Sequence, residues 1–141
     1  MKASARVEED ARRRLAIGEP LLGGGFAWIA FPRPQVSTLL LNRRPHLVGL
    51  TDRRLLIWAR PHQARPVEDR DLLLDSPLDH LTLEGVRTRA PMLALRITTA
   101  AGRELVVEFR PRDRRLGRRI AAALIAGAPA APTTEVPTAA G

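Results

Sequence analysis

Arginine is the side chain this sequence carries in numbers that could do chemistry. Of the 23 basic residues among 141, every one but Lys2 is an arginine. A guanidinium holds its donors in a planar fork that matches carboxylate and phosphate, and it stays charged, so it grips anions rather than moving protons. Two stretches set arginines in pairs beside apolar residues. LTDRRLLIWAR, residues 50–60, places Arg53 and Arg54 after a Thr-Asp step, and the proline-bounded STLLLNRR, residues 37–44, places Arg43 and Arg44 behind Leu39, Leu40 and Leu41. Arg33 lies upstream in the same connection. The second pattern suits a loop that dips leucines into a bilayer while Arg33, Arg43 and Arg44 hold lipid phosphates. Its plainer reading packs the three leucines on the body of the fold. For Arg53 and Arg54 the plainer reading is a hairpin corner, in which Asp52 satisfies turn amides and solvated arginines keep an edge from aggregating.

Nothing else in the chain assembles into a reactive site. There is no cysteine, hence no disulfide framework, zinc knuckle or thiol nucleophile. His46, His62 and His80 lack paired ligand spacing, and Asp69, Asp71, Asp75 and Asp79 lack the spaced Asp-x-Asp-x-Asp-Gly loop of a calcium site. Ser4, Ser37 and Ser76 stand in no nucleophile elbow. The triplet Gly23-Gly24-Gly25 runs into Phe26-Ala27-Trp28 rather than into a helix with Lys-Ser/Thr, so it reads as a bulge or sharp bend in a strand, not a phosphate cradle. The expectation is a protein without catalysis, metal or cofactor.

The elements that must position these arginines follow from periodicity. Residues 4–15 read as a helix with Ser4 as N-cap, Glu8, Glu9 and Asp10 early and Arg12, Arg13 and Arg14 late. Its stripe of Ala3, Val7, Ala11 and Leu15 is narrow and alanine-heavy, which predicts a lightly docked or mobile helix. Strand-like runs follow at 21–31, 46–51, 54–59, 72–74 and 80–89, with Leu81, Leu83 and Val86 inward and a bulge at Glu84-Gly85. On the run 54–59, Leu55 and Ile57 share one face and Leu56 and Trp58 the other, so both faces must be covered. The clearest element is MLALRITTAAGRELVVEF. There Leu93, Leu95 and Ile97 alternate, Ala101-Gly102 turns, and Leu105, Val107 and Phe109 alternate back. An amphipathic helix from about 112 buries Leu116, Ile120, Ala123 and Leu124, and the Ala/Pro/Thr segment 127–141 reads as a disordered tail.

The net charge of +8 would point to polyanions, but the arginine, alanine and proline bias also fits a GC-rich genome. The charge is uneven. Residues 68–84 hold six acids against Arg70, and residues 110–119 hold six arginines against Asp113. These stretches could face each other and neutralise. The charged amino terminus has no secretory h-region, and no apolar run approaches the roughly 20 residues of a bilayer span. A soluble cytoplasmic protein is expected, at most peripheral at the inner face of the membrane.

Seven or so strands in hairpin order followed by one helix exclude a parallel βαβ sheet. They predict a mainly β (α+β) fold, an antiparallel barrel of about seven strands capped by a C-terminal amphipathic helix, with an extra N-terminal helix over 1–16 and the body over 17–126. LTDRRLLIW, the hairpin ITTAAGRELVVEF and a helix beginning near Asp113 resemble, in order and spacing, the short bacterial pleckstrin-homology (PH) like and GRAM-like domains. That resemblance implies a binding or scaffolding module rather than an enzyme. It would recruit a protein partner or an anionic lipid surface, with self-association through barrel edges. The chain departs from the phosphoinositide-binding pattern, because the loop between its first two strands has Arg33, Arg43 and Arg44 but no lysine. The rival readings are a small arginine-rich nucleic-acid-binding protein, which aromatics at 4% supply poorly with stacking platforms, and a structural subunit of a homo-oligomer.

Overall fold

The computed structural model describes residues 3–32, 43–61, 65–89 and 91–127. Helix α1 (Ala3–Arg14) is followed by strands β1 (Leu21–Ala30), β2 (Arg44–Thr51), β3 (Arg54–Ala59), β4 (Leu72–Pro77), β5 (Leu81–Arg89), β6 (Met92–Thr99) and β7 (Glu104–Phe109), and then by helix α2 (Arg114–Ala126). The strands form one antiparallel sheet in the order β4-β3-β2-β1-β7-β6-β5. In a flat sheet the two end strands would lie about 29 Å apart, six spacings of roughly 4.8 Å. Yet β4 and β5 are joined only by the short turn Leu78–His80, whose chain can span no more than about 14 Å. The sheet must therefore curl on itself, and Leu78 is pinned at the seam by its amide, which donates to the Arg53 carbonyl at 2.8 Å. This is the expected mainly β architecture with a helix at each end of the chain.

The curled sheet encloses a core on its inner face, and at β2 and β3 it is buried on its outer face as well. Inside, Ile29, Val48, Leu50, Leu55, Ile57 and their neighbours on β6 and β7 close around Leu116, Ile120 and Leu124 of α2. Outside, Leu47, Leu56 and Trp58 pack with Val67 under Val7 and Ala11 of α1. The expected alternation on β3 thus holds, with Leu55 and Ile57 inward and Leu56 and Trp58 outward. The β6–β7 hairpin pairs in the register the sequence implies, Leu93 with Phe109, Leu95 with Val107 and Ile97 with Leu105. Gly102, at φ 86°, takes the left-handed position of its turn. A register shift at Leu83/Gly85 is the expected bulge. Val86 pairs with buried Leu95 and so keeps the inward side after the bulge, yet it is 50% exposed because β5 is the edge strand.

The mobile N-terminal helix is not what the structure shows. Val7 and Ala11 are fully buried, and buried Asp10 accepts a 2.7 Å hydrogen bond from Trp58 Nε1. A narrow apolar stripe is enough here because a charged residue on the same face docks as well.

Both helices pack against the glycine triplet of β1. A register shift at Leu21/Gly23 gives the bulge anticipated from sequence. Beyond it, a Cβ on Gly24 would lie 2.7 Å from Val7 Cγ2 and 3.2 Å from the Ser4 Cα, and one on Gly25 would lie 2.7 Å from Leu116 Cδ2. Gly24 therefore faces α1 and Gly25 faces α2. Gly24→Ala should cost about 1–3 kcal/mol in urea unfolding, because Val7 is β-branched and cannot swing away. Gly85→Ala, with nothing within 4 Å of its Cβ, should cost far less. Equal losses for the two would contradict this packing.

Candidate functional site

The motif Thr51-Asp52-Arg53-Arg54 turns β2 into β3, and its chemistry is internal. The Thr51 hydroxyl accepts from the amides of Arg53 (3.0 Å) and Arg54 (2.8 Å), the role expected of Asp52, and donates to Glu19 Oε2 at 2.6 Å. Arg54 donates from Nε and Nη2 to the two Glu19 oxygens at 3.1 and 2.7 Å, from Nη2 to the Arg14 carbonyl at 2.7 Å, and from Nη1 to Asp75 at 3.4 Å. The Arg54 bonds, outweighing burial, together with those from Thr51 and the Ala16 amide, hold the Glu19 carboxyl down to about 2. Arg53 stays on the surface, 3.8 Å from Asp52. Arg43 pairs with Glu108, and Arg44 is exposed at the start of β2. The two arginine pairs therefore lie at opposite ends of β2, roughly 23 Å apart by strand rise, and the fold does not bring them to one site. Arg33 and Leu39, Leu40 and Leu41 fall outside the described residues, as do His62 and the tail from 128 onward.

The acidic stretch does not neutralise the basic one, contrary to the arrangement entertained from the sequence. Asp69 pairs with Arg14 at 2.5 Å, Asp71 with Arg65 at 3.0 Å, and Asp75 with Arg54. Glu68, Asp69, Asp71 and Asp75 are thus taken up by α1, the β2–β3 turn and their own loop. Among the described residues no carboxylate forms an ion pair with any arginine of 110–119. Helix α2 turns Leu116, Gly117, Ile120, Ala121 and Leu124 into the barrel. Gly117 makes this possible, since a Cβ there would lie 2.6 Å from Phe109 Cδ2. The opposite face presents Arg115, Arg118 and Arg119 with Ala122 and Ile125, the last 66% exposed. Arg119 Nη1 reaches back to the Leu22 carbonyl at 3.0 Å, tying the half-exposed Leu22 to this surface.

Beside that face opens a cleft of about 880 Å³ between the first turn of α1 and the β7–α2 connection, a short helical turn at Pro111–Asp113. Its walls carry Arg6, Arg60, Arg110 and Arg112, and its floor is Gly24, Gly25 and Phe26. A recess of about 200 Å³ continues it past Gly23 to Arg115 and Arg119. Arg60, just after β3, and Arg110, just after β7, converge on one aromatic ring, with guanidinium carbons 5.2 and 5.9 Å from the centroid of Phe26. Arg110 also lies 5.0 Å over Trp28, which meets Phe26 edge to face at 5.7 Å. Arg6 donates to the Arg65 carbonyl at 2.9 Å. Burial, and then the charges of Arg60 and Arg65, push its pKa down, as expected where cations crowd. Asp113 is the one acid in the walls. Burial raises its pKa despite a hydrogen bond from the Phe26 amide and the nearby Arg112 and Arg110, and its Oδ2 is buried with no hydrogen-bond partner.

The arginines of 110–119 are evident in the sequence, whereas the meeting of Arg60 with Phe26 in a cleft is not. The legible signal was an arginine placed directly after an apolar strand, in IWAR and VEFR. That two such strand ends meet over Phe26 depends on β1 lying between β2 and β7. Neither the protein-family models nor the curated proteins contain a match to this chain. No helix among the described residues is long and apolar enough to cross a membrane.

Proposed function

We propose that this chain is a non-catalytic binding module, PH-like in build, that docks reversibly on an anionic membrane surface through the exposed face of α2. The observation that carries this reading is the separation of charge. Asp69, Asp71 and Asp75 pair with Arg14, Arg65 and Arg54, while among the described residues Arg112, Arg115, Arg118 and Arg119 are exposed and form no ion pair, with Leu22 and Ile125 exposed as well. Each basic residue near an anionic surface contributes about 1 kcal/mol, so four give roughly 4 kcal/mol. Two exposed apolar side chains add to this, which suits peripheral, salt-sensitive attachment. Seven antiparallel strands in the order 4-3-2-1-7-6-5 closed by a C-terminal helix support the PH-like comparison, as does the Thr-Asp-Arg-Arg turn.

Flotation with vesicles of phosphatidylserine and phosphatidylcholine tests the reading. Binding is expected to the anionic vesicles only and to fade with added salt. The triple variant Arg115→Gln, Arg118→Gln, Arg119→Gln should lower it by roughly 100-fold, three losses of about 1 kcal/mol each. Absence of flotation at low ionic strength would sink the membrane reading and leave an acidic protein as the partner.

A further inference from the structure

We propose that the cleft between α1 and the β7–α2 turn is a binding site for the phosphate group of a small ligand, gripped by Arg60 and Arg110 across the ring of Phe26. This goes beyond membrane docking, which uses the outer face of α2, and apart from Arg112 it stands on different side chains.

Three features of the cleft support it. First, Arg60 and Arg110 come from the ends of separate strands and are held against the same ring, so they are positioned before any ligand arrives. Like charges brought together raise the local potential, and among the described residues neither forms an ion pair. A phosphate between them would relieve that repulsion through charge-assisted hydrogen bonds, for which the guanidinium fork is well shaped. Second, Arg6 and Arg112 stand in the same walls, and Asp113 is the one acid among the described residues that line them. A cleft lined by one sign of charge, with apolar walls behind it, focuses the field on whatever enters. The walls here are Phe26 and Leu47. Third, the cleft stays open beside the tight packing of Gly24 under Val7 and of Gly25 against Leu116. At about 880 Å³ the open cleft is the size of small-molecule sites.

The phosphate could belong to a soluble ester or to a lipid headgroup, and the experiment separates these. The full chain is titrated with inorganic pyrophosphate and with glycerol 3-phosphate, without lipid, by amide-detected NMR. Saturable shifts are expected at Phe26, Arg60, Arg110 and Arg112. Arg60→Gln and Arg110→Gln should each weaken binding by 10-fold or more, about 1.4 kcal/mol per 10-fold, while the thermal midpoint holds, since both side chains project from strand ends. Arg115→Gln, Arg118→Gln, Arg119→Gln should leave the pyrophosphate affinity within a few-fold, so this site and the membrane face can fail separately. Asp113→Asn, which removes the one opposing charge and keeps the shape, should tighten binding. Displacement of glycerol 3-phosphate by phosphatidic acid vesicles would assign the site to a headgroup, and no displacement would assign it to a soluble ester. Failure to saturate at millimolar ligand, or saturation that survives Arg60→Gln with Arg110→Gln, would overturn the proposal.

Discussion

Arg54→Ala should destabilise the fold by about 3–5 kcal/mol, the scale on which a buried ion pair responds to loss of one partner. Glu19 is the reason. Its side chain is fully buried and its two oxygens accept from Arg54, Thr51 and the Ala16 amide. Without the guanidinium a carboxylate is left in the interior with its main counter-charge gone. Glu19→Gln should cost less, since Arg54 keeps Asp75 and the Arg14 carbonyl and is partly exposed. Urea midpoints of both variants and of the double variant give the coupling, and a double variant no worse than Arg54→Ala alone is the expected pattern. The same clasp sets an acid limit. Glu19 has its folded-state pKa lowered from 4.5 to about 2. Its stabilising contribution is therefore fully present above the unfolded value and is lost as pH falls from about 4.5 toward 2. In Arg54→Ala the slope of stability against pH through that window should flatten. An unchanged slope would show that Glu19 does not depend on Arg54.

Asp10→Ala should release α1 at a cost of about 3 kcal/mol, because it leaves the buried Trp58 indole N–H unsatisfied and strips a shared acceptor from two arginines. Asp10 accepts from Trp58 Nε1 at 2.7 Å and from Arg14 Nε at 3.0 Å, and it also pairs with Arg13. Burial by itself would raise the Asp10 pKa. The bonds from Arg14 and Trp58 and the charges of Arg14 and Arg13 outweigh it and bring the value down. Asp10 therefore joins Glu19 in stabilising the fold above its unfolded pKa and losing that contribution in acid. Asp10→Asn, which keeps one acceptor for the indole, should cost markedly less. Amide exchange distinguishes local from global damage. Protection should fall in α1 while the β6–β7 hairpin keeps its own, since α1 packs on β1, β2 and the outer layer around Leu47, Leu56 and Trp58. Because Ala3, Ser4 and Arg6 form one wall of the arginine cleft, pyrophosphate binding should weaken in the same variant.

Much of the fold was legible because its elements advertise themselves locally. In the β6–β7 hairpin, alternation of Leu93, Leu95 and Ile97 against Leu105, Val107 and Phe109 specifies faces and register together, since a one-residue slip would turn every apolar side chain outward. The apolar stripe of α2 and the two faces of β3 follow from period alone. The misjudged features share a different origin. The firm docking of α1 rests on long-range polar contacts, among them the hydrogen bond between residues 10 and 58, which no periodicity contains. The exposure of Val86 follows from an edge position that only the strand order reveals.

Composition and local pattern by themselves thus determined an arginine-rich, cysteine-free, antiparallel β body closed by an amphipathic helix, and they marked Thr51 to Arg54 as a turn. Tertiary structure alone decided what each arginine does. Charges act through space, and a sequence does not state which acids stand across from which bases. Folding sets Glu19 and Asp75 around Arg54 and sends Asp69 to Arg14 and Asp71 to Arg65. It leaves Arg60, Arg110 and Arg112 gathered around Phe26 with Asp113 as their one acid neighbour.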